Sequence, residues 1–247
     1  RLLAHSQNLL CDHDILSLRG KPHRTRQCLG ARTYGAESIT IKLSGDAANS
    51  SAALGHVQTC GSVWSCPVCA ARVAAQRGRE IEHALSWAAD NGLMPVMVSL
   101  TAQHHRGMRL EDFKTAFKKA WRSFSSGRQW QTLKKTYQVE NSIVNRECLY
   151  GDNGWHYHMH MLLFMPRPTV AESIQSGSLA ADLREKWLKC LSNANLAGIG
   201  EYALDVSSHS AIGKDYLSKL GLGEKDTVTD LSYEMSGAGN KNSGGFS

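Results

Sequence analysis

The sequence predicts an α+β fold, and two observations lead to that prediction. Segments with alternating apolar residues, typical of strands, are interspersed with segments in which apolar residues recur at helical spacing. Two of the strands are separated only by Gly151-Asp152-Asn153-Gly154, a dense turn signal, so we expect them to pair as an antiparallel hairpin. A cluster of cysteines earlier in the chain predicts a metal-stapled N-terminal extension in addition to this fold.

The first third of the chain contains one predicted strand and one predicted helix. Residues 1 to 30 show no clear period. Residues 38 to 43 alternate as a strand, and a loop rich in Gly, Ala, Asn and Ser follows to about residue 54. An Ala- and Arg-rich helix is predicted over residues 70 to 90, ended by Asn91-Gly92.

The next part begins with a strand over residues 94 to 101, whose proline lies near its start, where a missing N–H is tolerated. Aromatic residues then recur at helical spacing from Phe113 to Phe124, and the apolar stripe continues to Tyr137. We expect these aromatic side chains to form core rather than base-stacking platforms.

Three further elements are expected after the hairpin. A clean amphipathic helix contains Leu183, Trp187 and Leu191, and residues 201 to 206 form a last strand. A short helix is predicted over residues 209 to 220, because serines precede it and a glycine follows it. We divide the chain into an extension, residues 1–90, and a second domain, residues 91–247.

The second strand of the hairpin, residues 155 to 164, has one apolar face and one histidine face. Because side chains alternate along a strand, Trp, Tyr, Met and Leu share one side, whereas His156, His158 and His160 share the other. A single strand histidine is usually just a hydrogen-bonded residue. Three imidazoles that alternate with large apolar residues indicate a functional face.

The turn predicts the register of the hairpin. If its four residues close the loop, Tyr150 lies opposite Trp155, and counting back places Glu147 directly across from His158. Cross-strand neighbours on one face lie only ~5 Å apart at Cβ. Glu147, His158 and His160 therefore converge, and two imidazoles with a carboxylate predict a site for a divalent metal.

A one-residue slip of this register would change the ligand set. It would move Glu147 to the opposite face, and His156 would then be the third ligand. A histidine pair with one acid is also the ligand set of 2-His-1-carboxylate iron oxygenases, which is an alternative class for the site.

The cysteine cluster predicts a second, structural metal site. Cys66-x-x-Cys69 is a chelating pair, and Cys60 precedes it by six residues. We expect Cys28 to be the fourth ligand, with His56 as the alternative, and zinc as the metal. A redox motif would also contain Cys-x-x-Cys, but the third cysteine, the internal proline and the missing thioredoxin-like context argue against it.

Composition limits the function. Lys and Arg number 28 and Asp and Glu 22, which gives a net charge of +6 and a pI near 9.0. That balance favours a polyanionic partner. The sequence has no apolar run long enough to span a membrane, and polar residues interrupt the N-terminal segment too early for a secretory signal. We expect a trimmed, cytoplasmic protein.

The predicted helix over residues 209 to 220 contains a tyrosine and a lysine on one face. Tyr216 and Lys219 are three residues apart. A phenol has a pKa near 10 and needs a neighbouring cation or a polarised substrate to attack as a nucleophile. The spacing of Tyr216 and Lys219 is equally compatible with Tyr216 being an ordinary half-buried aromatic residue.

These residues together resemble a known family. The run from Glu147 through His158 and His160 is similar to the His-hydrophobe-His motif of HUH endonucleases, and more narrowly to rolling-circle plasmid replication initiators of the actinobacterial type. Three further segments resemble motifs of those initiators: residues 60–70, Ser99-Leu100-Thr101 with the two histidines that follow it, and Tyr216-x-x-Lys219. The matches follow the family order from residue 60 to residue 220.

The resemblance implies a central antiparallel sheet flanked by helices, related to ferredoxin-like and RNA-recognition-motif folds, with an N-terminal zinc-stapled extension. It implies Mg²⁺ or Mn²⁺ on His158, His160 and Glu147, Tyr216 as the nucleophile, and Lys219 as its activating cation. The reaction would nick single-stranded or hairpin plasmid origin DNA, leaving a 5′-phosphotyrosine and a free 3′-hydroxyl. Host helicase and polymerase would be further partners.

Two positions depart from the family pattern. Tyr157 stands where relatives have proline between the first two histidines, and Ile212 stands where several relatives have a glutamate that serves termination. Asp215 or another acid would have to replace that glutamate. A non-catalytic DNA-binding module stapled by zinc, and a relaxase or transposase with the same chemistry, are alternative interpretations.

Overall fold

Antiparallel sheets flanked by helices make up the chain, as described by a computed structural model. The structure describes residues 2–10, 23–45 and 51–208. Two compact units can be distinguished, Arg1–Arg77 and Gly78–Ser247. No helix in these described ranges combines the length and the hydropathy needed to cross a bilayer. The α+β class expected from the sequence, with antiparallel strands and flanking helices, is confirmed.

The first unit contains a short helix, a two-stranded sheet and the start of a long helix. Its elements are α1 (Leu2–Leu9), a 3-10 helix (Arg24–Gln27), β1 (Thr40–Ser44), β2 (Ser51–Gly55) and the first residues of α2 (Pro67–Asp90). β1 and β2 pair antiparallel, with Thr40 opposite Gly55.

Strand β2 corrects the expectation of a loop that continues to about residue 54. Its sequence, Ser-Ala-Ala-Leu-Gly, contains no β-branched or aromatic residue, so local propensity does not indicate a strand. Pairing with β1 supplies the structure that the segment's own residues do not predict. The long helix also begins three residues earlier than expected, at Pro67, a residue well suited to a first helical position.

A four-stranded sheet organises the second unit. Its strands are β3 (Leu93–Leu100), β4 (Asn141–Gly151), β5 (Gly154–Pro166) and β6 (Leu204–Ser208). The spatial order is β4-β5-β3-β6, and every neighbouring pair is antiparallel. Strand β5 is therefore an inner strand between β4 and β3, and β4 is an edge strand.

Helices cover one face of this sheet and bury the aromatic residues. They are α3 (Leu110–Phe124), α4 (Gly127–Thr136), α5 (Arg167–Gln175) and α6 (Ser178–Asn193). Phe117 is fully buried, with its ring centroid 5.1 Å from that of Tyr157 and 5.2 Å from that of Trp187. The expectation that the aromatic stripe forms core is confirmed for Phe113, Phe117, Phe124, Trp130 and Tyr137.

The opposite face of the sheet is covered only in part. Ile81, Leu85 and Ala88 from the second half of α2 pack on Leu162 and Phe164 of β5. Because side chains alternate, His158 and His160 share this face with Leu162 and Phe164. The helix thus covers one end of the face, and the histidines lie toward the other end.

Two elements near the end of the described chain differ from expectation. Helix α5 is an addition to the elements that the sequence predicts: Pro166 immediately precedes it, and Pro168 lies in its first turn, where proline is acceptable. Residues 201 to 206 are not one strand: a 3-10 helix (Gly200–Ala203) precedes β6. The helix expected over residues 209 to 220 lies outside the described residues.

Gly154, the last residue of the hairpin turn, tests how tightly the turn is held. Its φ is +89°, and a Cβ there would lie 2.8 Å from the Arg106 Cα. We predict that Gly154→Ala lowers the free energy of unfolding by more than Gly92→Ala. Gly92 has a φ of +71° and nothing within 4 Å of a Cβ, so only its backbone conformation costs energy, about 1 kcal/mol.

Urea unfolding of the two variants and the wild type measures this difference. Equal losses for both variants would show that the Arg106 backbone does not hold the turn.

Candidate metal centres

The pairing of β4 with β5 determines which residues meet on the histidine face. Tyr150 lies opposite Trp155, Glu147 lies opposite His158, and the residue across from His160 is Asn145. This is the register that the turn predicts, and it is confirmed. Directly opposed residues in an antiparallel pair point to the same face, so the Glu147 carboxylate is brought to the imidazoles.

Glu147, His158 and His160 converge on one point. The Nε2 atom of His158 lies 2.9 Å from Glu147 Oε2 and 3.1 Å from His160 Nε2, and the third separation, His160 Nε2 to Glu147 Oε2, is 3.4 Å. Neighbouring ligands of an octahedral ion with bonds of ~2.1 Å lie about 3 Å apart. The three atoms therefore fit adjacent positions around one divalent cation.

Burial makes this group a defined pocket for a cation. His158 is 6% exposed and His160 is 5% exposed, whereas the Glu147 side chain keeps 17% of its surface in contact with solvent. Buried polar groups require partners, and a cation would satisfy three acceptors at once. Three protein ligands leave further coordination positions for water or a substrate oxygen, as in catalytic rather than structural sites.

Ser99 holds one of the two imidazoles in a definite orientation. It lies directly across from His160 in β3, and its Oγ is 3.0 Å from His160 Nδ1. If Nε2 binds a metal, Nδ1 carries the proton and its N–H donates a hydrogen bond to the serine oxygen. Within the described part of the chain, the buried Nδ1 of His158 has no such partner. The sequence indicated Ser99 only as part of a strand motif, because its partner is distant in sequence.

The third histidine of the strand lies beside the metal-ligating group and not within it. The ring centroid of His156 is 4.6 Å from that of His158 and 4.8 Å from that of His104, which comes from the loop after β3. Burial lowers the pKa of His156 to about 4, and the neighbouring imidazoles act in the same direction. The side chain is therefore neutral at neutral pH.

Four cysteines from three separate segments form the second group. Sulfur atoms of Cys28 and Cys66 are 3.5 Å apart, and Cys69 Sγ lies 3.6 Å from both Cys28 Sγ and Cys60 Sγ. These separations are far longer than the ~2.05 Å of a disulfide. A tetrahedral ion with metal–sulfur bonds of ~2.3 Å holds its sulfurs about 3.8 Å apart. The group therefore fits a tetrahedral metal, and the exposed His56 is not part of it.

The surroundings of the cysteines favour thiolate at one position. Burial alone would raise the pKa of Cys60, but hydrogen bonds from Thr25 Oγ1 and the Ser62 N–H lower it to about 7. Burial raises the pKa of Cys28 to about 12, so in the absence of a metal the four sulfurs do not all ionise. A bound cation would remove that opposition, because thiolate is the form that binds metal.

The predicted nucleophile and its cation cannot be placed relative to either centre. Tyr216 and Lys219 lie outside the described residues, and their roles stay predictions. Tyr202, in the 3-10 helix before β6, is 83% exposed.

The histidine group thus has the residue composition of open metal sites that use two histidines and one carboxylate. The chain is similar to "Protein rep" of Streptomyces lividans, with 27% identity over 153 residues, covering 51% of this chain and 33% of that protein. It is also similar to "Neomycin resistance protein" of Streptomyces cyanogenus, with 28% identity over 145 residues, 48% of this chain and 33% of that protein. The matched part spans about a third of the length of these curated relatives. No family model and no solved structure matches the chain.

The cysteine group should determine whether the first unit folds. The buried cluster of its described residues consists of the four cysteines, with only Leu3, Leu29 and Val68 packed against them. We predict about one zinc per chain, and Cys66→Ser should lose the metal and unfold this unit, because no larger apolar core replaces it. Elemental analysis and circular dichroism measure both effects.

Cys148→Ser, which changes a half-buried thiol outside the group, serves as the control and should keep the zinc. Stoichiometric zinc in a Cys28→Ser protein would contradict the four-cysteine assignment.

Ser99 should tune the affinity of the histidine centre. We predict that Ser99→Ala weakens Mn²⁺ binding about tenfold, a typical loss when the hydrogen-bond partner of a ligating histidine is removed. Ser99→Thr keeps the hydroxyl and should bind Mn²⁺ nearly as the wild type does. Titration followed by the electron paramagnetic resonance of free Mn²⁺ gives the affinities. Equal affinity for the alanine and threonine variants would contradict a role for the hydroxyl.

Proposed function

We propose that the chain is a replication initiator of the HUH endonuclease class that nicks single-stranded plasmid origin DNA. The observation that supports this function best is the convergence of Glu147, His158 and His160 on adjacent strands of an antiparallel sheet. The histidines are separated by one residue, as in the motif that the sequence resembles. The fold would be the one related to ferredoxin-like and RNA-recognition-motif folds.

Similarity to "Protein rep" supports a role in replication, although identity is low and about half of the chain is matched. The net charge of +6 is in keeping with a nucleic-acid partner. Origin DNA would be bound as a single strand or hairpin, and host helicase and polymerase would act after nicking.

The proposed chemistry divides between the two halves of the active site. A divalent cation, Mg²⁺ or Mn²⁺, on Glu147, His158 and His160 would stabilise negative charge on the non-bridging oxygens of the scissile phosphate. Tyr216 would attack the phosphorus through its phenolic oxygen after losing its proton. The new bond joins this oxygen to phosphorus, and the bond from phosphorus to the 3′ oxygen breaks. The leaving oxygen takes a proton and becomes the 3′-hydroxyl that primes synthesis.

Lys219 would support this step from one helical turn away. Its ammonium group would favour the phenolate of Tyr216 and orient the phosphate. The four-cysteine group would hold a structural zinc, because its four protein ligands leave no open position.

Two other classes make different predictions for the same residues. A non-catalytic DNA-binding module would bind origin DNA without forming an adduct in Mn²⁺. An iron oxygenase would use the histidine pair and the carboxylate but would show oxygen-dependent turnover and no need for a tyrosine. A relaxase or transposase would share the nicking chemistry and differ in its DNA substrate.

Removing only the attacking oxygen tests the nucleophile. We predict that Tyr216→Phe abolishes the covalent protein–oligonucleotide adduct on a denaturing gel and leaves DNA affinity nearly unchanged. His158→Ala, His160→Ala and Glu147→Ala should each reduce cleavage by about two orders of magnitude, or require far more metal, because each removes a ligand. His156→Ala should be mild.

Tyr202→Phe, at an exposed tyrosine, is the matched control and should form the adduct. An adduct that survives in Tyr216→Phe, mapped by peptide mass to another residue, would refute the assignment of the nucleophile. Absence of any adduct from the wild-type protein in Mn²⁺ would favour the non-catalytic module.

A further inference from the structure

The open edge of the hairpin combines exposed aromatic and basic side chains. Among the described strands, β4 is at the edge of the sheet and pairs only with β5. Along it, Arg146 and Tyr150 point to the face opposite Glu147, because they are an odd number of residues away from it. We define the hairpin edge by four residues: Lys114, Arg146, Tyr150 and Trp155.

The aromatic pair of the hairpin edge is accessible. Tyr150 and Trp155 face each other in the pair next to Gly151 and Gly154, which close the hairpin, and their ring centroids are 4.7 Å apart with planes inclined by 64°. Tyr150 is 58% exposed and Trp155 is half-buried. One residue pair farther along the same face, Tyr157 is only 3% exposed under the helices. The sheet therefore extends beyond its helical cover at this end.

Two cations accompany the aromatic pair. Arg146 is exposed and lies on the same face as Tyr150, four residues away, or about 13 Å along the strand. The exposed Lys114 of α3 follows Phe113, whose ring centroid is 6.4 Å from that of Tyr157, the residue directly opposite Cys148 of β4. In keeping with this position, burial raises the pKa of the Cys148 thiol and Lys114 acts in the opposite direction. Among the described residues, no ion pair neutralises Arg146 or Lys114.

The combination of basic and aromatic side chains at the hairpin edge suits one kind of partner. Proteins bind single-stranded nucleic acid with cations that track the phosphates and aromatic rings on which bases stack. The bases of a duplex are already stacked on one another, so they are not available to the rings of Tyr150 and Trp155. An acidic peptide could pair with the cations but has no bases to stack on those rings. An exposed aromatic pair can also serve only to stabilise a hairpin, so its effect on DNA binding has to be separated from its effect on folding.

The position of the metal centre fixes where such a strand would run. Glu147 lies between Arg146 and Cys148 on β4, with its carboxylate on the other face. Consecutive side chains of an edge strand all border the same open edge, whichever face they point to. Single-stranded DNA that follows the open edge of β4 would therefore lie near the metal centre on one face of the sheet. A few nucleotides away, it would reach the hairpin edge on the other face.

We propose that the hairpin edge is a binding subsite for the unpaired nucleotides that flank the scissile phosphate. Tyr150 and Trp155 contact a base, and Arg146 and Lys114 contact phosphates. This proposal rests on the proposed function, because it assigns a position to the single-stranded substrate of the same centre.

Binding of a short single-stranded oligonucleotide in buffer that contains no Mg²⁺ or Mn²⁺, followed by fluorescence anisotropy, tests the subsite without cleavage and without removing the predicted zinc. We expect Tyr150→Leu to weaken binding about tenfold, because stacking of one base is lost, and Tyr150→Phe to bind as the wild type does. Arg146→Gln should lower the slope of log affinity against log salt by about 0.7, the value for one phosphate contact on a single strand. Lys135→Gln is the charge-matched control, because Lys135 is exposed in the helix before β4, at the end far from the turn.

Two further measurements separate binding from folding. Mn²⁺ affinity depends on the same hairpin, so it reports whether the hairpin is intact. Tyr150→Leu should bind Mn²⁺ as tightly as the wild type does. An oligonucleotide with abasic sites should bind the wild type and Tyr150→Leu equally.

The outcomes distinguish the two proposals. If the wild type binds the oligonucleotide but Tyr150→Leu binds equally well, and Arg146→Gln behaves as Lys135→Gln does, the subsite is wrong and the proposed function stands. A loss of Mn²⁺ affinity in Tyr150→Leu that matches its loss of DNA affinity would also overturn the subsite. If the wild type does not bind single-stranded DNA at all, the proposed function fails.

Discussion

The register between β4 and β5 is the constraint on which the histidine centre depends. Side chains of a strand alternate between faces, so a shift of one residue would move Glu147 away from His158 and His160 and into the helix-covered face. The same shift would turn Val144 and Cys148 of β4, which pack against the helix-covered core, to the opposite face, and this makes the alternative register costly. The hydrophobic core therefore fixes the geometry of the centre, although none of the three candidate ligands belongs to that core.

The two candidate metal centres differ because their surroundings differ. Cys28, Cys60, Cys66 and Cys69 are almost fully buried and are themselves the core of the first unit, in which few large apolar side chains are available. A metal there would replace a hydrophobic core. The histidine centre lies on a sheet that aromatic packing already stabilises, so its ligands need not hold the fold together. It is free to keep open positions and a partly exposed carboxylate.

Much of the second unit could be predicted because its signals are local. A dense turn between two alternating strands determines the hairpin register, and helical spacing of Phe113, Phe117 and Phe124 identifies a core helix. The sequence also predicts that Cys28 joins the three clustered cysteines, although only as the better of two choices, since His56 lies much nearer to Cys60 in sequence. The structure supports the cysteine by burying it beside the other sulfurs.

What could not be predicted depends on partners that are distant in sequence. Strand β2 has weak propensity and forms by pairing with β1, and helix α5 begins with prolines that resemble a break. The contact of Ser99 with His160 joins residues 61 positions apart, and no local pattern indicates it. Similarly, His104 reaches His156 only because the loop after β3 passes beside the hairpin.

We expect the hairpin register to create a centre for one divalent cation from Glu147, His158 and His160. Anomalous diffraction at the manganese edge, from crystals grown with Mn²⁺, tests it most directly. We expect a peak bonded to one oxygen of Glu147 and to the Nε2 atoms of His158 and His160. A peak bonded to His156 in place of Glu147, or a manganese ion bound away from this face of the sheet, would contradict it.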